Sequence, residues 1–276
     1  MRIDFTKMHG LGNDFIVFDA PSSANLPSGE QIRRLADRHT GVGFDQALII
    51  EPPRRPGTVA FYRIFNADGG EVEQCGNGVR CVAALLRQTQ RAKSAALTLD
   101  SPAGPIHARI QNDGLVSVDM GIPDFAPASL PFTAPTQASE YTLRVAGEQL
   151  RFGAVSIGNP HAVLLVPAVA TAAVAHVGPM LEKHAAFPQG VNVGFMEIVA
   201  ADQLRLRVFE RGVGETRACG TGACAAVAVG RERGTLAERV VVQLPGGELT
   251  VSWVGLGHSI WLTGPAETAF HGQFEI

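Results

Sequence analysis

Gln74-Cys-Gly-Asn-Gly-Val-Arg-Cys-Val-Ala83 and Ala218-Cys-Gly-Thr-Gly-Ala-Cys-Ala-Ala226 are two versions of one segment, a cysteine in a glycine-rich turn followed by a helix. The paired cysteines, 75 and 219, stand 144 residues apart. Other pairs fall into register around them: Gly12-Asn13 with Gly158-Asn159, Phe44-Asp-Gln46 with Gly190-Val-Asn192, and Arg63-Ile-Phe-Asn66 with Arg207-Val-Phe-Glu210. The chain therefore reads as a doubled unit with one such cysteine per half. A duplication stacked about a pseudo-twofold axis is expected to bring two thiols to opposite walls of one cleft. That layout suits chemistry on both faces of a single carbon.

Working outward, the 276 residues divide into halves that can each bury a core. Hydrophobic residues at 46% and charged residues at 18% fit a globular chain and exclude a disordered one. The formal charge of −3, without a dense Lys/Arg cluster, lacks the footprint of a nucleic-acid binder. There is no apolar leader at the start and no run long enough for a membrane helix, so a cytoplasmic protein with small-molecule partners is expected. Four cysteines are too few for a disulfide scaffold.

Short alternating runs such as Phe15-Ile-Val-Phe18, Phe61-Tyr-Arg-Ile-Phe65 and Leu204-Arg-Leu-Arg-Val-Phe209, bounded by Gly, Pro and Asp, predict strands that outnumber helices. Helical periodicity covers 29–39, 76–88 and 220–229, the last apolar on nearly every side, which demands enclosure by strands. The Ala-rich stretch 168–177 suits a short helix. The proline-bearing segment 121–135 has no period and marks the crossing between halves. The expected division is 1–120 carrying Cys75, completed by the C-terminal strand at 264–276, and 121–263 carrying Cys219.

Each repeat cysteine directly precedes a helix N-terminus, whose unpaired N–H groups and positive dipole end suit a carboxylate. The same field is expected to favour thiolate over thiol at both cysteines, so one can act as base and the other as acid. Cys81 and Cys224 lie inside the helices among Val and Ala and are assigned to packing. That placement also argues against a four-cysteine zinc site, so no metal is expected. Pyridoxal phosphate needs a Schiff-base lysine, and Lys7, Lys93 and Lys183 sit in no fitting motif, so a mechanism without cofactor is preferred.

Six ordered motifs then carry a resemblance over nearly the whole chain: Lys7-Met-His-Gly-Leu-Gly-Asn-Asp-Phe15, Phe65-Asn-Ala-Asp-Gly69, Gln74-Cys-Gly-Asn-Gly78, Gly158-Asn-Pro-His161, Val191-Asn-Val193 and Glu210-Arg-Gly-Val-Gly-Glu-Thr-Arg-Ala-Cys-Gly-Thr-Gly-Ala-Cys224. The sequence resembles the diaminopimelate epimerase family. The resemblance implies an α/β chain of the α+β type, with two pseudo-symmetric halves, each a mixed, curled sheet around a central helix. It implies interconversion of LL- and meso-2,6-diaminopimelate without cofactor or metal, and a homodimer. Matched motif by motif, Cys75 and Cys219 are the acid/base thiols, and the turns Gly76-Asn77 and Gly220-Thr221 hold the α-carboxylate. Asn13, Gln46, Asn66, Asn159, Asn192 and Arg211 line the rest of the substrate, with Glu210 and His161 near the reacting amino group and thiols. His9 fits a turn-stabilising role as well as a substrate contact. Arg211 suits either an ion pair with Glu210 or the distal carboxylate of a long substrate. Phe270 stands where Tyr is expected at a dimer contact. Two other readings compete: a proline or hydroxyproline racemase of the same fold, which needs an aromatic-lined pocket, and a non-catalytic amino-acid binding protein, which has no use for two thiols.

Overall fold

The computed structural model describes residues 2–20, 26–72, 76–145 and 147–275. The chain divides into two compact units, Met1–Asp119 with Thr263–Ile276, and Met120–Leu262.

In the first unit, β1 (Arg2–Gly10) and β2 (Asn13–Asp19) form a hairpin, and β2 runs parallel to β3 (Gln46–Glu51). β3 pairs antiparallel with β4 (Phe61–Asn66). The two-residue β5 (Glu71–Val72) adds to the C-terminal end of β4, and β6 (Ala96–Ser101) adds in parallel at its start. β7 (Gly104–Ile110) and β8 (Val116–Asp119) continue as a meander, and the last strand of the chain, Glu267–Glu275, pairs with the free edge of β1. This sheet curls around α2 (Gly76–Gln88), which packs on β1, β2, β3, β7 and β8. On the other face, α1 (Gly29–Ala36) inserts Ile32 and Ala36 among Ile16, Phe18, Ile49 and Phe274.

Local chemistry fixes both ends of α1. Ser28 and Gln31 form a reciprocal capping box, with Gln31 N donating to Ser28 Oγ at 3.2 Å and Ser28 N to Gln31 Oε1 at 2.7 Å. Periodicity predicted the helix to His39, but it stops at Ala36. The Asp37 carboxylate captures the N–H groups of His39 and Thr40 at 2.8 and 2.7 Å, giving the backbone an alternative to another helical turn.

The second unit repeats this topology strand for strand. β9 (Tyr141–Val145) pairs with β10 (Glu148–Ser156), β10 forms a hairpin with β11 (Pro160–Leu165), and β11 is parallel to β12 (Asn192–Ala200). β12 pairs antiparallel with β13 (Gln203–Glu210), which carries β14 (Gly214–Thr216) at its end and the parallel β15 (Arg239–Leu244) at its start, followed by β16 (Gly247–Ser252). β17 (Trp261–Gly264) follows β16, and Glu267–Glu275 is β18. The apolar α4 (Gly220–Glu232) is enclosed by β10, β11, β12, β13 and β16, as its composition demanded. The outer face carries α3 (Val174–Glu182), packed through Val174 and Leu181 against Phe152, Leu164 and Phe195. Of the Ala-rich stretch, 174–177 belongs to α3 and 169–171 is a single 3₁₀ turn.

Candidate functional site

The duplication can be followed into the pairing register. In the first unit β2 and β3 set Phe15 opposite Gln46, and β3 and β4 set Gln46 opposite Asn66. In the second, β11 and β12 set His161 opposite Asn192, and the pairing of Val193 with Phe209 carries Asn192 alongside Glu210. The two units thus present Phe15, Gln46, Asn66 and His161, Asn192, Glu210 at equivalent places. The titratable pair belongs to the second unit.

In the first unit, Asn13 opens β2 after a hairpin turn whose residues Leu11 and Gly12 both have positive φ, 57° and 86°. Its side-chain amide donates to Asp45 Oδ2 at 2.9 Å, and its Oδ1 accepts from Asn77 Nδ2 at 3.1 Å. Asn77 sits buried in the first turn of α2, which starts at Gly76. Gln46 Nε2 donates to Asn66 Oδ1 at 2.8 Å, while Gln46 Oε1 is buried without a hydrogen-bond partner among the described residues. An acceptor left so suits a ligand donor. Cys75 lies outside the described residues.

Three residues around Asn13, namely Asp14, Arg38 and Asp45, were not singled out from sequence. Arg38 Nη2 bridges Asp14 Oδ1 at 2.7 Å and Asp45 Oδ1 at 2.8 Å, and Lys7 Nζ reaches Asp14 Oδ2 at 2.6 Å. Burial works against the Asp14 charge, but its bonds to Arg38 and Lys7 outweigh it and bring the carboxyl down to about 2. Asp45 immediately precedes Gln46, and that proximity is the signal that could have marked it. His9 Nε2 stands 3.7 Å from Glu267 Oε2, a contact that fits a structural role in the β1 and β18 pairing.

In the second unit, Cys219 caps α4 from an extended conformation, φ −107° and ψ 108°. It is 4% exposed. Its Sγ lies 3.6 Å from Thr221 Oγ1, and Thr221 Oγ1 accepts from Asn159 Nδ2 at 3.4 Å. Asn159 Oδ1 in turn shares a 3.0 Å hydrogen bond with His161 Nε2. The expectation of a thiolate at this helix end is corrected here. Burial pushes the Cys219 thiol well above the ordinary range, and the Glu210 carboxylate beside it pushes the same way, against the bonds from Thr221 and the Gly222 N–H that favour the anion. Burial and Glu210 together favour the thiol form of Cys219.

Glu210 itself is held by Thr216 Oγ1, which donates to Oε1. Thr216 was not identified from sequence, although it stands within the motif that ends in Cys219. Asn192 accepts from Arg211 N at 3.0 Å through Oδ1 and donates to Pro160 O at 2.9 Å. The exposed Arg211 guanidinium donates to Gln189 O at 3.0 Å, and among the described residues no ion pair joins it to Glu210. His161 is fully buried, and desolvation, aided by the Arg211 charge, lowers it to about 3, so the imidazole is neutral. Gly220 is buried in the first turn of α4. Cys81 and Cys224 are fully buried within α2 and α4. Among the described residues no cluster of His, Cys, Asp or Glu is placed to hold a metal ion, and no helix is long and apolar enough to cross a membrane.

Solved structures of similar fold span several chemistries. A hydroxyproline epimerase from Agrobacterium vitis with bound trans-4-hydroxy-L-proline is 17% identical, with a TM-score of 0.70 over 99% of this chain and 92% of that one. A Bacillus anthracis phenazine biosynthesis protein of the PhzF family is also 17% identical, with a TM-score of 0.70 over 100% of both chains. A methylitaconate-delta-isomerase is 15% identical, with a TM-score of 0.67 over 99% and 95%. At these identities the likeness establishes the fold alone. The family model described as diaminopimelate epimerase matches residues 5–126 and 153–269, spanning both repeats and both cysteine motifs, and on that match the chain belongs to the diaminopimelate epimerase family.

Proposed function

We propose that this chain epimerises LL-2,6-diaminopimelate to the meso isomer, in the synthesis of lysine and peptidoglycan precursors, with Cys75 and Cys219 as the two acid/base groups and without a cofactor. One cysteine, as thiolate, takes the α-proton from one face of the carbon. The other, as thiol, delivers a proton to the opposite face. Cys219, held as a thiol by burial and Glu210, is suited to deliver, which leaves abstraction in that direction to Cys75. The helix ends at Gly76-Asn77 and Gly220-Thr221 bind the α-carboxylate and stabilise the charge that develops on it. Neutral His161 and the amides of Asn13, Gln46, Asn66, Asn159 and Asn192 orient the amino group and the chain of the substrate. The protein acts as a homodimer.

The observation that carries the choice of substrate is Arg211. Its exposed guanidinium has no carboxylate partner among the described residues, and a two-ended dicarboxylate supplies one. A ring amino acid with a single carboxylate gives Arg211 nothing to hold. Turnover of LL-diaminopimelate, L-proline and trans-4-hydroxy-L-proline by the purified protein, followed by chiral chromatography, tests this. Epimerisation of diaminopimelate should exceed that of the ring substrates by about a thousandfold or more in kcat/KM, the discrimination expected when a buried or bidentate partner is lost. Equal or better turnover of proline overturns the assignment.

A further inference from the structure

The two units carry the same ion pair in equivalent places. Arg63 on β4 grips Glu71 on β5, Nε to Oε1 at 2.6 Å and Nη2 to Oε2 at 2.5 Å. Arg207 on β13 grips Glu215 on β14 through the same two atom pairs, at 2.6 and 2.9 Å. Side-chain exposure is matched as well, 23% and 34% in the first pair and 25% and 32% in the second. In each case the acid stands opposite a phenylalanine, Phe65 for Glu71 and Phe209 for Glu215, and four residues ahead of the repeat cysteine. An exposed ion pair usually contributes little, but a bidentate, half-shielded one is the exception. β5 and β14 have two and three residues, so few ladder bonds compete with the side chains in placing them.

In the second unit the path from ion pair to thiol is continuous. Glu215 is followed by Thr216, Thr216 Oγ1 donates to Glu210, and the Glu210 carboxylate stands beside Cys219. Arg207 also donates to Val169 O at 2.9 Å, which ties this strand to the neighbouring 3₁₀ turn. We propose that Arg207 and Glu215 are positioning residues whose bidentate pair sets β14 so that Thr216 holds Glu210 against Cys219. The duplication preserved the ion pair itself in both units. The inference rests on the two-thiol reading for its bearing on catalysis, but thiol reactivity tests it without any substrate.

Native protein is treated with iodoacetamide and each cysteine's alkylation rate is followed by peptide mass spectrometry, in wild type, Glu71→Gln, Glu215→Gln and the charge-exchanged Arg207→Glu/Glu215→Arg. Releasing the clasp should expose and free the nearby thiol by local opening. Glu215→Gln is therefore expected to alkylate at Cys219 about tenfold faster, with Cys81 and Cys224 unchanged and Cys75 within about twofold. Glu71→Gln, which releases the equivalent pair in the other unit, should leave Cys219 within about twofold of wild type, and charge exchange should return Cys219 toward the wild-type rate. A Cys219 rate within about twofold of wild type in Glu215→Gln overturns the proposal, as does parallel acceleration of Cys81 and Cys224, which marks a global loss of fold. If Glu215→Gln does not fold, Glu215→Asp decides: it keeps the charge and shortens the reach, and it must show selective acceleration at Cys219 or the proposal fails. Failure to turn over diaminopimelate contradicts the proposed function and leaves this reactivity pattern standing.

Discussion

His161 shows how one buried side chain couples the candidate site to stability. Its folded value of about 3 lies far below the ordinary 6.5, so the folded state refuses a proton that the unfolded chain accepts. The stability conferred by keeping it neutral is present above pH 6.5 and is lost as pH falls toward 3, at up to about 1.4 kcal/mol per unit. Urea unfolding at pH 7 and pH 5 should show the wild type losing about 2 kcal/mol through this group, a loss that His161→Gln escapes. Asp14, held down to about 2 by Arg38 and Lys7, contributes its own loss only below pH 4 and stays out of this window. Identical pH dependence in the two proteins would mean that His161 is not sealed from water. Sequence placed His161 in a motif but not its charge state. A buried imidazole and an exposed one read the same on paper, and so do a thiol and a thiolate at Cys219, where the helix end argued for the anion and burial with Glu210 reversed it.

At the scale of elements, the central helices were legible because their signals are local: a glycine turn at the start, apolar residues on most faces and no proline. α2 matches its expected span, and α4 runs three residues beyond it. The strands with alternating apolar residues were legible too. β1, β5, β9, β10, β12 and β14 were not read from their own patterns, and β5 and β14 are too short to show a period, whereas β18, which exposes most of its residues, falls within the C-terminal strand expected to complete the first half. What no pattern announced is how closely α4 lies on β10. A Cβ at Gly153 would meet Val229 Cγ1 at 2.3 Å, so this strand position needs glycine for close approach. Gly153→Ala should destabilise the protein by about 1–3 kcal/mol in urea titration, as overpacking does, and the added Val229→Ala should recover much of that. A neutral Gly153→Ala would contradict the packing described for α4. Phe270, on β18, packs edge-on against Phe5 at 6.0 Å and remains 48% exposed.

Across the whole molecule, the doubled motif around Cys75 and Cys219 foretold the repeated topology, because two halves that descend from one unit keep strand order and register where sequence identity has decayed. It did not foretell the asymmetry. Phe15 and Asn66 occupy in the first unit what His161 and Glu210 occupy in the second, so the titratable groups at these equivalent positions come from one repeat. Such a division gives a duplicated scaffold two unlike acid/base environments, and inversion requires unlike states, one thiolate and one thiol, at the same moment. The central claim is that two thiols serve opposite faces of one carbon, and it is tested by epimerising LL-diaminopimelate in deuterium oxide and following isotope by mass spectrometry at initial rates. The account predicts that the meso product carries solvent deuterium at the inverted carbon from the first turnover while the remaining LL isomer stays protiated, and that Cys75→Ala and Cys219→Ala each lose at least about a thousandfold in rate. Product that is mostly unlabelled, returned by a single base, would contradict it.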